Sequence, residues 1–177
     1  MTNTQKIQRM STLISTLCSL SLIALPLLQI WIWADLLGPH GTFKYIGRAF
    51  HPETIALPYR ILGFSISMVP VALLMWSIFH LRSLFELFRK AVFFSGANAR
   101  LLHQFAMMLF FNTLASPIAR SLVSVAVTIN NPPGQRAVVF TISGGDLKSL
   151  FVATVFLAMA WVMREAHAMA QENAEFV

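Results

Sequence analysis

Apolar residues gather in four long blocks separated by short polar stretches, and these blocks, rather than local alternation, define the elements. Ser11 to Trp33 contains no charged side chain. At about 1.5 Å of rise per residue, a helix of that length crosses a hydrocarbon core of about 30 Å. Ile61 to Phe79 is likewise uncharged, and Pro70 inside it predicts a kink near Val69, with neighbouring helices satisfying the freed carbonyl. A third block, about 105–128, carries Asn112, Pro117 and Arg120 and is the least apolar of the four. The fourth, Leu147 to Met163, runs directly into Arg164 and Glu165. With no internal repeat and no separate soluble domain, the pattern predicts one domain over 1–177: an all-α integral membrane protein built as a four-transmembrane-helix bundle. A secretory signal peptide also begins with a positive segment such as Lys6 and Arg9, but this apolar run is too long and ends in Trp31 and Trp33 without a small-residue cleavage site.

The connecting segments have patterns of their own. From His80 to Phe94, Leu81, Leu84, Phe85 and Phe88 share one helical face, with Arg82, Ser83, Glu86, Arg89 and Lys90 around the rest. This predicts an amphipathic segment 80–94 that continues the second helix and bends along the inner interface. It serves either as a lipid-facing elbow or as a docking face for a cytoplasmic partner. Ser95 stands three residues before Asn98, the spacing of a helix N-cap. On the other side, Asn131-Pro132-Pro133-Gly134 breaks the chain, and the β-branched and aromatic run 136–143 predicts a small outer β-pairing with 42–50. Asp146 is then the expected cap of the fourth helix.

Composition sharpens this picture. Of the 177 residues, 56% are apolar and 11% charged, against about 25% charged in ordinary soluble domains. A soluble fold and a disordered chain are both excluded. The single cysteine, Cys18, rules out an internal disulfide and thiol-disulfide chemistry. The net charge of +6 suits nucleic acid in a soluble protein, but here the basic residues flank apolar blocks, so no direct nucleic-acid binding is expected. Lys6, Arg9, Arg82, Arg89, Lys90, Arg100 and Arg164 flank one side of the predicted bundle, and Lys44, Arg48, Arg60, Arg136 and Lys148 the other. Seven against five places both termini on the cytoplasmic side. Trp31 and Trp33 then anchor the outer interface, and Trp76 and Trp161 the inner one.

Candidate chemistry is sparse. Asn112, Ser116, Arg120 and Ser124 recur every four residues and form one slowly rotating stripe on the third span. Arg120 at mid-span costs roughly 2.5–3.5 kcal/mol on insertion scales, so it faces protein or reaches for an interface. One reading is a site for an anionic or polar ligand, with Pro117 opening a carbonyl beside it. The other is a snorkelling arginine among small polar residues that hold helices together. His40, His51, His80 and His103 show no metal-ligand spacing, and Asp35, Glu53, Glu86 and Glu165 lie outside or at the edge of the spans. No metal, cofactor, catalytic residue or proton-coupling carboxylate is therefore expected. Ser11, Ser15 and Ser19, with Ala115 and Ala119, have the spacing for close helix contact, within the chain or in a homo-oligomer.

Two segments resemble a known family. Leu84-Phe85 through Phe93-Phe94-Ser95-Gly96-Ala97-Asn98, with Arg100 and Leu101, is similar to the "LF…G..FS..N…L" signature of the YoaS-like domain-of-unknown-function group, small bacterial four-span membrane proteins. The tail Ala160-Trp161-Val162-Met163-Arg164-Glu165-Ala166, followed by Gln171-Glu172-Asn173, resembles that group's closing motif. Ala91 stands where the family usually has glycine, and Gln171 replaces an acidic residue. The resemblance implies a bacterial inner-membrane location and, from frequent gene neighbourhood, a small helix-turn-helix regulator as partner; it implies no established activity. The expected function is a non-enzymatic regulatory or interaction protein. Its cytoplasmic face, with Leu84, Phe85, Phe88, Phe94, Ser95, Asn98, Trp161, Arg164 and Glu165 as the candidate surface, binds a soluble partner. The alternative is a small-molecule transporter or channel using Asn112, Ser116 and Arg120.

Overall fold

The structure is a computed structural model that describes residues 3–37, 43–45, 48–50, 55–92, 95–131, 136 and 138–175. Four helices dominate: α1 (Asn3–Leu37), α2 (Leu57–Arg89), α3 (Gly96–Thr128) and α4 (Gly144–Glu175). Each is 32 to 35 residues long, or about 50 Å, so every helix overshoots a hydrocarbon core of about 30 Å and carries its ends into the headgroup zones. All four are long and apolar enough to cross a membrane. The protein is a multi-pass, all-α membrane bundle. Mean hydropathy of the spanning window is lowest in α3, at 1.3, and 28% of that window is buried against 11% in each of the others. The most polar span is thus also the most buried one.

Successive helices pack side by side, α1 on α2, α2 on α3 and α3 on α4. Two clusters tie them at opposite ends. At the end carrying the chain termini, Leu84 of α2 packs with Leu102, Phe105 and Ala106 of α3 and Ala160 of α4, and Phe88, Phe156 and Met163 close around them. The Phe105 and Phe156 rings meet edge to face at 5.1 Å. At the far end, Trp33 of α1, Ile55, and Val123 and Val127 of α3 form a second cluster with Tyr59 and Phe64. Trp33, expected as an interface anchor, is 4% exposed. Its ring lies so close to Gly63 that a Cβ there would stand 2.6 Å from it.

The segment 80–94 departs from its expected course. The α2 helix runs unbroken to Arg89, and Leu81, Leu84 and Phe88 turn into the terminal-end cluster. These side chains find apolar partners on α3 and α4, so nothing drives them to lie along the membrane surface. After Arg89 the chain closes a Schellman motif: Val92 N–H donates to the Leu87 carbonyl and Ala91 N–H to the Phe88 carbonyl, both at 3.0 Å. Ala91 sits in the left-handed region at φ 58°, where glycine is the natural occupant. Ser95 then caps α3 as expected, accepting from Asn98 N–H at 3.3 Å. The side-chain amide of Asn98 donates back to the Val92 carbonyl at 2.9 Å.

The expected β-pairing between the two far-end loops is corrected by the structure. β1 (Phe43–Tyr45) pairs with β2 (Arg48–Phe50) as an antiparallel hairpin inside the first loop. Residues 138–143 form no strand; α3 serves part of their backbone: Val139 N–H donates to Ser124 Oγ at 3.0 Å, and the Thr141 carbonyl accepts from Arg120 at 3.2 Å. The expected turn at 132–134 and the histidines at 40 and 51 lie outside the described residues.

Three substitutions check this packing. Replacing Gly63 with alanine should lower stability by about 1–3 kcal/mol in thermal unfolding of the detergent-purified protein, since Trp33 is too confined to move; adding Trp33→Phe should recover part of the loss. Ala91→Gly should raise stability by about 1 kcal/mol, because it removes left-handed strain from an otherwise intact motif. A neutral or destabilising A91G would show that the turn is held in another conformation.

Candidate functional site

The polar stripe of α3 opens into a cleft of about 480 Å³ between α1, α2 and α3. Asn112, Ser116 and Arg120 all line it, joined by Gln29 and Trp33 of α1 and Ser67 and Pro70 of α2. Within the cleft Gln29 donates to Ser67 Oγ at 2.7 Å, and Ser67 Oγ donates to the Phe64 carbonyl at 2.8 Å. Ser116 Oγ turns back to the Asn112 carbonyl at 2.8 Å, the usual way a membrane helix satisfies a hydroxyl. The Asn112 side-chain amide is left facing the cleft with no hydrogen-bond partner among the described residues. Pro70, which lines the cleft, lacks an N–H and so leaves the Ile66 carbonyl without its helical donor.

Arg120 does two things at once. It lines the cleft, and its guanidinium pairs with Asp146 of α4 while also donating to the Thr141 carbonyl. Its side chain is 27% exposed and that of Asp146 12%, so the pair is largely shielded from solvent. Asp146 is not the cap expected from the sequence. Ser143 is the cap, accepting from Asp146 N–H at 3.2 Å, while Asp146 Oδ2 accepts from Ser143 N–H at 2.7 Å and from its hydroxyl at 2.8 Å. This is a reciprocal capping box with Arg120 added to its carboxylate. Ser124, one turn further along the stripe, is buried and used structurally, donating to the Ser121 carbonyl and accepting from Val139.

The residues proposed as a partner surface separate into two groups. Leu84 is 4% exposed and Asn98 fully buried, so neither can meet a partner, and Ser95 is committed to its cap. Phe88 packs against the terminal-end cluster, with the Phe85 ring edge-on to it at 5.5 Å. Phe94 lies outside the described residues. Trp161, Arg164 and Glu165 on α4 are exposed. The α4 extension beyond them crosses the start of α3, where His167 lies over Gly96; a Cβ at Gly96 would stand 2.9 Å from its Nε2.

Comparison with known sequences places these details in a family. A family model matches residues 8–177. The chain belongs to the DUF2975 family, described as proteins of unknown function. No curated protein and no solved structure matches it. The DUF2975 chain carries, among the described residues, no group of three or more His, Cys, Asp or Glu that could hold a metal ion. Gln29 and Ser67 went unseen in the sequence. Gln29 is the one side-chain amide between Ser11 and Trp33, and that isolation was the signal available.

Asp146→Asn leaves Arg120 without its counter-charge in a shielded position. The expected loss is about 2–3 kcal/mol of stability. Arg120→Gln should cost a similar amount, and the double variant less than the sum by at least about 1 kcal/mol, as measured in a double-mutant cycle of thermal unfolding. Additive losses would mean that the two side chains do not interact.

Proposed function

We propose that this membrane protein is a non-enzymatic regulator in which occupancy of the central cleft sets the position of α4. The carrying observation is the double contact of Arg120, which lines the cleft and holds the first turn of α4 through Asp146. A small anionic or polar molecule entering the cleft meets the Asn112 amide, the Gln29–Ser67 pair and the guanidinium. An anion there competes with Asp146 for Arg120. Released at that end, α4 shifts as a rod, and its other end carries Trp161, Arg164, Glu165 and the extension to Glu175. That end meets a soluble partner, of which the small helix-turn-helix regulator suggested by the family resemblance is the leading instance. The excess of Lys and Arg on the terminal end, seven against five, supports an inner-membrane protein with both termini in the cytoplasm.

A transport reading shares the cleft, because an arginine within a span also suits a path for anions. One experiment divides the two. A photoreactive residue at Trp161 is crosslinked in cells in the wild-type and Asp146→Asn backgrounds, and the reconstituted protein is assayed for anion flux with and without Arg120→Leu. The regulatory reading expects an identified soluble protein whose crosslinking yield changes several-fold in D146N, with no flux in vesicles. Capture of lipid alone, or equal yield in both backgrounds, overturns it; flux that R120L abolishes assigns the cleft to transport instead.

A further inference from the structure

The terminal end of the α1–α2 seam holds a second, separate concavity. It is an open concavity of about 810 Å³, lined by Gln8, Arg9, Thr12, Leu13 and Thr16 of α1 and by Arg89, the last residue of α2. The hydroxyls of Thr12 and Thr16 are spent on the carbonyls of Gln8 and Thr12, both at 2.9 Å. The donors left to face the opening are the two guanidinium groups and the Gln8 amide. Neither arginine has an ion-pair or hydrogen-bond partner among the described residues. The acidic side chain nearest to Arg89 along α2, Glu86, is paired with Arg82 at 3.1 Å, and the first turn of α1 has no acidic residue.

Below the arginines the surface changes character in one direction only. Leu13, Leu17 and Leu20 follow Arg9 at helical spacing and are 65%, 60% and 58% exposed, forming an apolar track that leads toward mid-membrane. The track arrives at an apolar groove of about 590 Å³ between the same two helices, lined by Ser21, Ala24, Leu28, Leu74 and Ile78. One leaflet is half of a hydrocarbon core of about 30 Å, or about ten residues of helix. Ten residues from Arg9 is Ser19, just short of the groove.

We propose that this surface is a binding site for one anionic phospholipid, its phosphate held between Arg9 and Arg89 and an acyl chain laid along Leu13 and Leu17 toward Leu20. Charge complementarity selects the headgroup: two guanidinium groups favour a net-negative lipid and repel the choline of a zwitterionic one. The apolar track selects a lipid over a free phosphate, which has nothing to place on it. The occupant bridges α1 to the end of α2, where, among the described residues, α1 contributes no member to the apolar cluster that joins α2, α3 and α4.

The test is native mass spectrometry of the full-length protein in detergent, titrated with phosphatidylglycerol, phosphatidylcholine or glycerol 3-phosphate. Phosphatidylglycerol should bind as a discrete single adduct, and R9Q/R89Q should weaken it by roughly 30-fold. R100Q, which removes an exposed arginine of α3 at the same end, should leave binding unchanged. Leu17→Ser should weaken phosphatidylglycerol several-fold, and glycerol 3-phosphate should not displace it. Equal binding by wild type and R9Q/R89Q overturns the proposal, as does phosphatidylcholine binding as tightly. A loss in R100Q equal to that in the double variant reduces the effect to diffuse charge and also overturns it. Displacement by glycerol 3-phosphate makes the site a free-anion site. Where the double variant fails to purify, the single variants R9Q and R89Q, each expected to lose about five-fold, decide the same question.

Discussion

Hydrocarbon offers no hydrogen bonds, so every polar group carried into the membrane must find its partner inside the protein. In this chain that constraint falls on α3. Its span is the most polar of the four and the most buried, and, apart from the Gln29–Ser67 bond between α1 and α2, the side-chain hydrogen bonds named between helices or from the 138–143 segment converge on it. Ser77 of α2 donates to the Phe105 carbonyl, Ser124 receives Val139, and Arg120 reaches Asp146. Apolar contact alone gives helices in lipid little reason to associate, since the lipid tails are as apolar as leucine. Close approach of small residues and these few polar links therefore decide which helices are neighbours. The rows of exposed leucine, isoleucine and valine on α1 and α4 are the lipid-facing remainder.

The same physics explains what the sequence could reveal. Span number, span order and the cap at Ser95 were legible because they depend on local composition and spacing. Arg120 was legible as an anomaly, since a charge within an apolar block demands a protein or interfacial partner. Which way each helix turns was not. Trp33 and Trp31 are two residues apart and equally apolar, yet one is buried and the other 69% exposed, because only the neighbour α2, with Gly63 making room, distinguishes the two faces. Leu84 and Phe88 suited an amphipathic surface helix as well as they suit a core; the apolar partners that settle the matter lie on α3 and α4. Gln29 and Ser67 were invisible as a pair, since 38 residues separate them.

The motif around residues 84–98 has a structural account that the family resemblance alone did not give. Ser95 caps, Asn98 clamps the preceding turn, and Gly96 lets His167 lie over the start of α3. Ala91 occupies a left-handed position that, by backbone angle, suits glycine. A motif of this kind keeps two long helices antiparallel and gives the α4 extension a place to rest. It moves the candidate interaction surface away from the α2–α3 turn and onto α4, where Trp161, Arg164 and Glu165 remain open.

On the proposed regulatory reading, the form of the Asp146 site decides what kind of motion the cleft can control. Asp146 accepts from the Ser143 backbone and hydroxyl as well as from Arg120. Losing the guanidinium therefore leaves two of three donors in place, and the first turn of α4 stays capped and helical. What is lost is its tether to α3. Its apolar cluster with α3 and α2, through Ala160, Phe156 and Met163, sits toward the opposite end, with Ala153 buried between, so on this reading a freed α4 pivots about that packing as a rigid body. A ligand shifts this equilibrium only by its differential affinity for the two positions. An anion that takes Arg120 from Asp146 has that differential built into its binding, whereas a neutral molecule satisfied by Asn112 and Gln29 alone occupies the cleft without moving the helix.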